Sequence, residues 1–193
     1  MEEKRKFKGG LKRLPPEAYQ GHTWVHWSMT MDQRRTGWLS PLMHSKIREA
    51  LLHSLTRHHL ICGVYCLMPD HSHFLIGGLR PEPASDQRLA MALFRKEWNR
   101  QLAQINPHFK LQKQAYDHVL TKREQTDRVL FQKQINYILD NPTNHTLVQS
   151  IEEWEYYGSL IPGYPDLHPR TDRFTEIFWN IFDQLRKDCS FNR

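Results

Sequence analysis

The sequence predicts an α+β domain in the ferredoxin-like split βαβ layout: an antiparallel sheet with helices on one face, followed by a C-terminal helical extension. Three observations carry this expectation. Apolar residues alternate over 23–31 and run unbroken over 60–67, both strand patterns. Met68-Pro69-Asp70 is turn chemistry, so 60–67 and the apolar run 71–79 form a hairpin. The intervening stretches carry apolar residues at helical spacing, which makes the order strand, helix, strand, strand, helix, strand, helix.

Each element has its own signal. In TWVHWSMTM, Val25, Trp27, Met29 and Met31 fall on one side of a half-buried strand. Ser40-Pro41 starts a helix, with serine as the cap and proline at the first helical position. Met43, Ile47, Ala50, Leu51 and Leu55 continue it to about His58. Residues 87–105 form the next helix, with Leu89, Leu93, Phe94, Trp98, Leu102 and Ile105 as its apolar positions and Asn106-Pro107 as its stop. Residues 111–121 read as a strand. Residues 126–140 read as a helix with the stripe Phe131, Ile135, Ile138 and Leu139, ended by Asn141-Pro142. The second face of the sheet is expected to be free for a ligand. Residues 151–170 are aromatic and proline-containing. Residues 172–187 form an amphipathic helix through Phe174, Ile177, Phe178, Ile181, Phe182 and Leu185, which should dock on the domain or on a partner. The chain therefore divides into a basic arm (1–16), a domain (17–150) and an extension (151–193).

Composition narrows the function. Of 193 residues, 39% are apolar, enough for a real core. No stretch approaches the ~20 consecutive apolar residues of a membrane span. The first residues lack the apolar segment of a secretory signal, and Cys62, Cys66 and Cys189 do not make a disulfide framework, so a reducing cytoplasm is expected. The net charge of +6 and pI ≈ 9.3 favour a polyanionic partner such as nucleic acid. Lys4, Arg5, Lys6, Lys8, Lys12 and Arg13 crowd the arm, and Arg88, Arg95, Lys96 and Arg100 decorate the second long helix. These groups are placed to track a DNA backbone, or else form solvated faces. Trp154, Tyr156 and Tyr157 either stack on unpaired bases or pack the tail.

Two constellations carry chemistry. In His71-Ser72-His73 the imidazoles stand at i and i+2 of a strand and share a face, where they could ligate one divalent metal with positions left open. Tyr137 and Asn141 share a helix face, because they are one turn apart. That face is turned away from the apolar stripe, so Tyr137 is not a core tyrosine by position. With His71 and His73 holding a metal and Asn141 as a third ligand, Tyr137 would attack a scissile phosphate and form a 5′-phosphotyrosine. Rejoining would then need no nucleotide triphosphate, and no G-x-x-x-x-G-K loop is present. A rival zinc site would add Cys62 and Cys66. These thiols are expected on one strand face, but four residues apart across a hairpin they match zinc spacings poorly. No H-x-E with P-C-x-x-C deaminase pattern occurs.

The segments YCLMPDHSHFLIGG (Tyr65 to Gly78), QAYDHVLT (Gln114 to Thr121) and NYILDNPTNHTLV (Asn136 to Val148) resemble the single-tyrosine HUH transposases, most of all the REP-associated tyrosine transposases. The resemblance spans residues 20 to 160. It implies a ferredoxin-like fold that cleaves and rejoins single-stranded DNA beside palindromic hairpins, using Mg²⁺ or Mn²⁺, as a monomer or homodimer. It implies His71 and His73 as metal ligands, Tyr137 as nucleophile and Asn141 as the further ligand. The chain departs from the family pattern at Asp70, where asparagine is usual, and at Ser72, where a hydrophobic residue is usual; Ser72 should point away from the histidines. His118 and Asp117 lie in a matching segment without an assigned role. A non-catalytic hairpin-binding module and a metal-dependent nuclease without a covalent intermediate remain alternatives.

Overall fold

The structure is a computed structural model and describes residues 13–191. Lys4, Arg5 and Lys6 of the basic arm, with Lys8 and Lys12, lie outside the described residues. The order of elements is β1 (Trp24–Thr30), α1 (Pro41–Arg57), β2 (Leu60–Leu67), β3 (His71–Gly78), α2 (Gln87–Ile105), β4 (Tyr116–Val119), α3 (Lys122–Thr126), α4 (Arg128–Leu139), α5 (Asn141–Asn144), β5 (Tyr157–Leu160) and α6 (Phe174–Phe191). The strands pair antiparallel in the order β4-β1-β3-β2-β5. The first four are the ferredoxin-like sheet the sequence predicts.

Local chemistry sets the helix starts. Ser40 Oγ accepts the Met43 amide at 3.2 Å and begins α1. The Asp86 carboxylate accepts the amides of Arg88 and Leu89 and begins α2. The helix expected over 126–140 is α4, Arg128–Leu139, and a short separate helix, α3, precedes it. Thr121 and Glu124 form a capping box that starts α3, and Asp127 then caps α4 by accepting from Val129 and Leu130. The strand expected over 111–121 is shorter. Leu111 bridges Met31, but Arg95 donates to the carbonyls of Gln112 and Lys113, which bend away before β4.

The two faces of the sheet hold separate cores. On one face, Met43, Ile47, Leu51 and Leu55 of α1 and Phe94, Trp98 and Leu102 of α2 pack on Val25, Trp27, Met29, Phe74 and Ile76. Leu89 and Ile105, expected among the apolar positions of α2, are exposed at its outer side. The second face was expected to be open for a ligand. It is instead largely covered: α4 and α6 bury Trp24, Ile61, Val64 and Leu75. Its apolar centre required cover, and only the end bearing the histidines is polar.

The tail contributes to that cover. Residues 157–160, read from sequence only as an aromatic stretch, form β5 on the free edge of β2. Trp154 Nε1 donates to the Leu67 carbonyl, Tyr157 is buried, and Tyr156 packs on the first core, so these aromatics serve packing. A register shift between Cys62 and Val64 puts Cys62 in one core and Cys66 in the other. The expectation that the two thiols share a face is therefore wrong, and a zinc site combining them has no geometric basis.

Trp24 joins the sheet to both covering helices. Its ring lies 4.8 Å from Phe131 of α4, 5.3 Å from Phe182 and 6.2 Å from Trp179 of α6. Gly77 permits this, since a Cβ there would meet the indole at 2.6 Å. Trp24→Ala should lower unfolding stability by about 3–5 kcal/mol, read as a shift of the denaturant midpoint, because it empties the contact between three elements.

Candidate active site

The site lies at the polar end of the second sheet face. Alternation places His71 and His73 of β3 on that face, 9% and 6% exposed, with ring centroids 4.9 Å apart. Ser72 points to the other side, where its hydroxyl donates to the Met29 carbonyl. The Asp70 carboxylate, in the turn, accepts from His71 Nδ1 at 2.7 Å and from Arg34 at 2.9 Å. This fixes the His71 ring and leaves its Nε2 available.

The helix α4 brings Tyr137 over the imidazoles. Its ring centroid lies 6.0 Å from that of His73 within the same chain. The ring is 54% exposed, as its place off the apolar stripe predicts. Phe131, Ile135, Ile138 and Leu139 are buried against the sheet, so the helix is held by its stripe and presents Tyr137 at the rim.

Asn141 follows one turn later and is buried. Its Nδ2 donates to the carbonyl of Tyr137 at 2.7 Å and to that of Ile138 at 3.4 Å. Carbonyls only accept, so this assignment of the amide end is chemically forced and leaves Oδ1 as the free acceptor. The expected helix stop at Asn141-Pro142 is a pause: Asp140 ends α4, and Asn141 to Asn144 make one more turn. That turn carries His145, exposed, with its ring 5.7 Å from His71.

One residue of the cluster has no sequence signal of its own. His26 projects from β1 beside His73, with Nε2 3.0 Å from His73 Nδ1 and its ring 5.9 Å from Tyr137. Gln134 of α4 meets His26 Nδ1 at 3.0 Å. The strand alternation put His26 opposite the apolar side of β1. Its partners come from β3 and α4, which local pattern does not connect.

Burial sets the charge state of these rings. It pushes the His73 imidazole down to about 3, and the charges of His26 and His71 push the same way. Burial, helped by His118, holds His26 down at about 4. Both rings are therefore neutral near pH 7, the form that ligates metal. His73 Nε2 is buried with no hydrogen-bond partner. A buried nitrogen without a partner costs free energy unless a ligand meets it.

The donor set suits a divalent cation. Two imidazoles and one amide oxygen leave positions open for water and phosphate oxygens. Among the described residues no three His, Cys, Asp or Glu side chains are grouped for a metal ion. The further oxygen donor beside the two imidazoles is the Asn141 amide, and such a set would leave positions open.

The basic residues of α2 stand across the sheet from this cluster. Arg95 is held by the 112–113 carbonyls, Arg88 lies over the Tyr19 ring, Arg100 pairs with Glu97, and Lys96 is exposed. Lys133 lies nearer the candidate site. It is exposed and four residues before Tyr137 on the same side of α4. Asp117 faces the first core, where it accepts from Tyr19 and pairs with Arg13. His118 faces His26 across the β1–β4 pair and meets Glu124 at 3.4 Å.

No family model and no curated protein matches the sequence. Solved structures do match. The chain superposes on the structure of a REP-associated tyrosine transposase bound to a REP hairpin, with a TM-score of 0.61 over 77% of this chain and 81% of that one, at 16% identity. This chain has the fold of that transposase. The match covers most of both chains, which agrees with the resemblance traced from residues 20 to 160. No helix among the described residues is long and apolar enough to cross a membrane.

The histidines generate a pH dependence. His44 of α1 is also held down at about 4 by burial and by Arg48, while His26 and His73 behave alike. Each stays neutral in the fold and takes a proton near 6.5 when unfolded. Stability should therefore fall as pH drops below about 6.5, with the loss from His26 and His44 levelling off near pH 4 and that from His73 continuing toward pH 3. Denaturant midpoints measured from pH 8 to pH 4 check this, and His44→Gln should flatten part of the slope.

Proposed function

We propose that this chain cleaves and rejoins single-stranded DNA beside palindromic hairpins, with Tyr137 as the covalent nucleophile. The observation that carries the reading is the exposed Tyr137 phenol set over a pair of buried imidazoles. The shared fold with a hairpin-bound transposase and the net charge of +6 support hairpin DNA as the partner.

His71, His73 and Asn141 would hold Mg²⁺ or Mn²⁺. The bound ion supplies Lewis-acid polarisation of the scissile phosphate and favours the phenolate form of a nearby phenol. His71 is oriented for this by Asp70, and Asn141 by the end of α4. Tyr137 Oη loses its proton to solvent at the exposed rim and forms the bond to phosphorus. The bond from phosphorus to the 3′ oxygen breaks, and that oxygen leaves as a 3′-OH. The product is a 5′-phosphotyrosine. Attack by a 3′-OH reverses the sequence, rejoins the strand and returns the proton to Tyr137, so bond energy is conserved. The constellation is complete within one chain, so a monomer suffices.

The test uses a labelled single-stranded hairpin substrate with Mn²⁺ and a denaturing protein gel. A labelled covalent adduct should form. It should disappear in Tyr137→Phe, in His73→Ala and on chelation of the metal. Tyr137→Phe should leave stability within about 0.5 kcal/mol of the starting protein, because the ring is half exposed. Cleavage without an adduct would make the protein a nuclease, and hairpin binding alone would make it a recognition module.

A further inference from the structure

We infer that His26 and Gln134 are positioning residues that set the tautomer of His73 and so decide whether its buried Nε2 can ligate a metal. The inference rests on the metal reading above and adds two residues that the sequence did not single out.

The three side chains form a chain of hydrogen bonds. Gln134 meets His26 Nδ1 at 3.0 Å, and His26 Nε2 meets His73 Nδ1 at 3.0 Å. A neutral imidazole carries a single N–H, so the direction of one bond dictates the next. As placed, Gln134 Nε2 donates to His26 Nδ1. His26 must then be protonated on Nε2 and donate to His73 Nδ1, which puts the remaining proton of His73 on Nε2. In that state His73 points an N–H at the proposed site and cannot ligate.

Turning the Gln134 carboxamide over reverses every step. Its two ends are nearly the same shape, and which end faces a partner follows from the hydrogen-bond network. With Oε1 against His26, His26 Nδ1 donates to Gln134 and Nε2 accepts from His73 Nδ1–H. The lone pair of His73 Nε2 then faces the site. Asn141 also acts on this ring by hydrogen bonding and favours its protonated form, so the amide competes with a metal for that nitrogen in the metal-free protein. Gln134 is only partly buried on α4, and rotation about its last bond needs no movement of the backbone. The Asp70 carboxylate accepts from His71 Nδ1 in the way the turned-over Gln134 and His26 would accept, in sequence, from His73 Nδ1.

The experiment measures Mn²⁺ binding to the full chain without DNA, by calorimetry, alongside nitrogen-15 imidazole spectra that report tautomers. In the metal-free protein, Gln134→Glu, which only accepts, should place His73 wholly in the Nδ1–H form. Gln134→Leu and His26→Leu should each weaken Mn²⁺ binding by about 10-fold or more, as loss of an outer hydrogen-bond partner does at metal sites. Gln134→Leu keeps the test open should the buried His26→Leu variant fail to fold. If wild type binds Mn²⁺ and both leucine variants bind it equally well, the relay is overturned while the proposed function stands. A Gln134→Glu protein in which His73 is not in the Nδ1–H form would overturn it too. If wild type binds no Mn²⁺ although His73→Ala and wild type are both folded, the metal reading fails and the relay fails with it.

Discussion

The site depends on the docking of α4 on the sheet through Trp24 and Phe131. The two rings meet edge to face at 4.8 Å, at the apolar end of the second sheet face. From Phe131 the helix runs toward the polar end of the same face. Its stripe Ile135, Ile138 and Leu139 keeps it in contact, and the off-stripe residues Gln134 and Tyr137 arrive beside His26 and His73. A rotation or slide of α4 would uncover apolar surface before it moved the phenol. Apolar burial thus fixes the position of a polar group. The C-terminal helix reinforces this, since Phe178, Trp179 and Phe182 of α6 close around the same Trp24.

That arrangement explains how buried histidines are tolerated. An imidazole without water resists protonation, and His26 and His73 are both held far below their ordinary range by burial. The cost of burying them is offset where hydrogen bonds are made: His26 to Gln134, His73 to His26, and His71 to Asp70. The exception is His73 Nε2. That nitrogen lies where the proposed metal would sit, and a ligand there would offset the cost of leaving it unmet. Asn141 shows a related economy, because one end of its amide closes α4 and the other is left to the site.

The sequence and the structure part company at identifiable places. Strands, long helices and the Ser40 cap were legible because each depends on a few neighbouring residues. The short helix α3 before Asp127 was also written locally, in the Thr121 to Glu124 capping box, but its five residues carry no apolar period to reveal it. The strand at Tyr157–Leu160 was not legible, because four residues acquire a strand conformation only from the β2 edge that accepts them. The face of Cys62 was lost to a single register shift, since one extra residue inverts the alternation that follows.

By itself the sequence determined what is periodic and local: that His71 and His73 share a face, that Tyr137 stands off the buried stripe one turn from Asn141, and that a split βαβ order surrounds them. Backbone geometry enforces these relations whatever the rest of the chain does. Only the tertiary structure decided that the phenol lies over the imidazoles, that His26 and Gln134 complete the cluster, that the second sheet face is covered, and that the α2 arginines stand across the sheet from the site. Those relations join residues as distant in the chain as His26 and Gln134, 108 positions apart. They are set by which apolar surfaces bury one another, a property of the whole core rather than of any one segment.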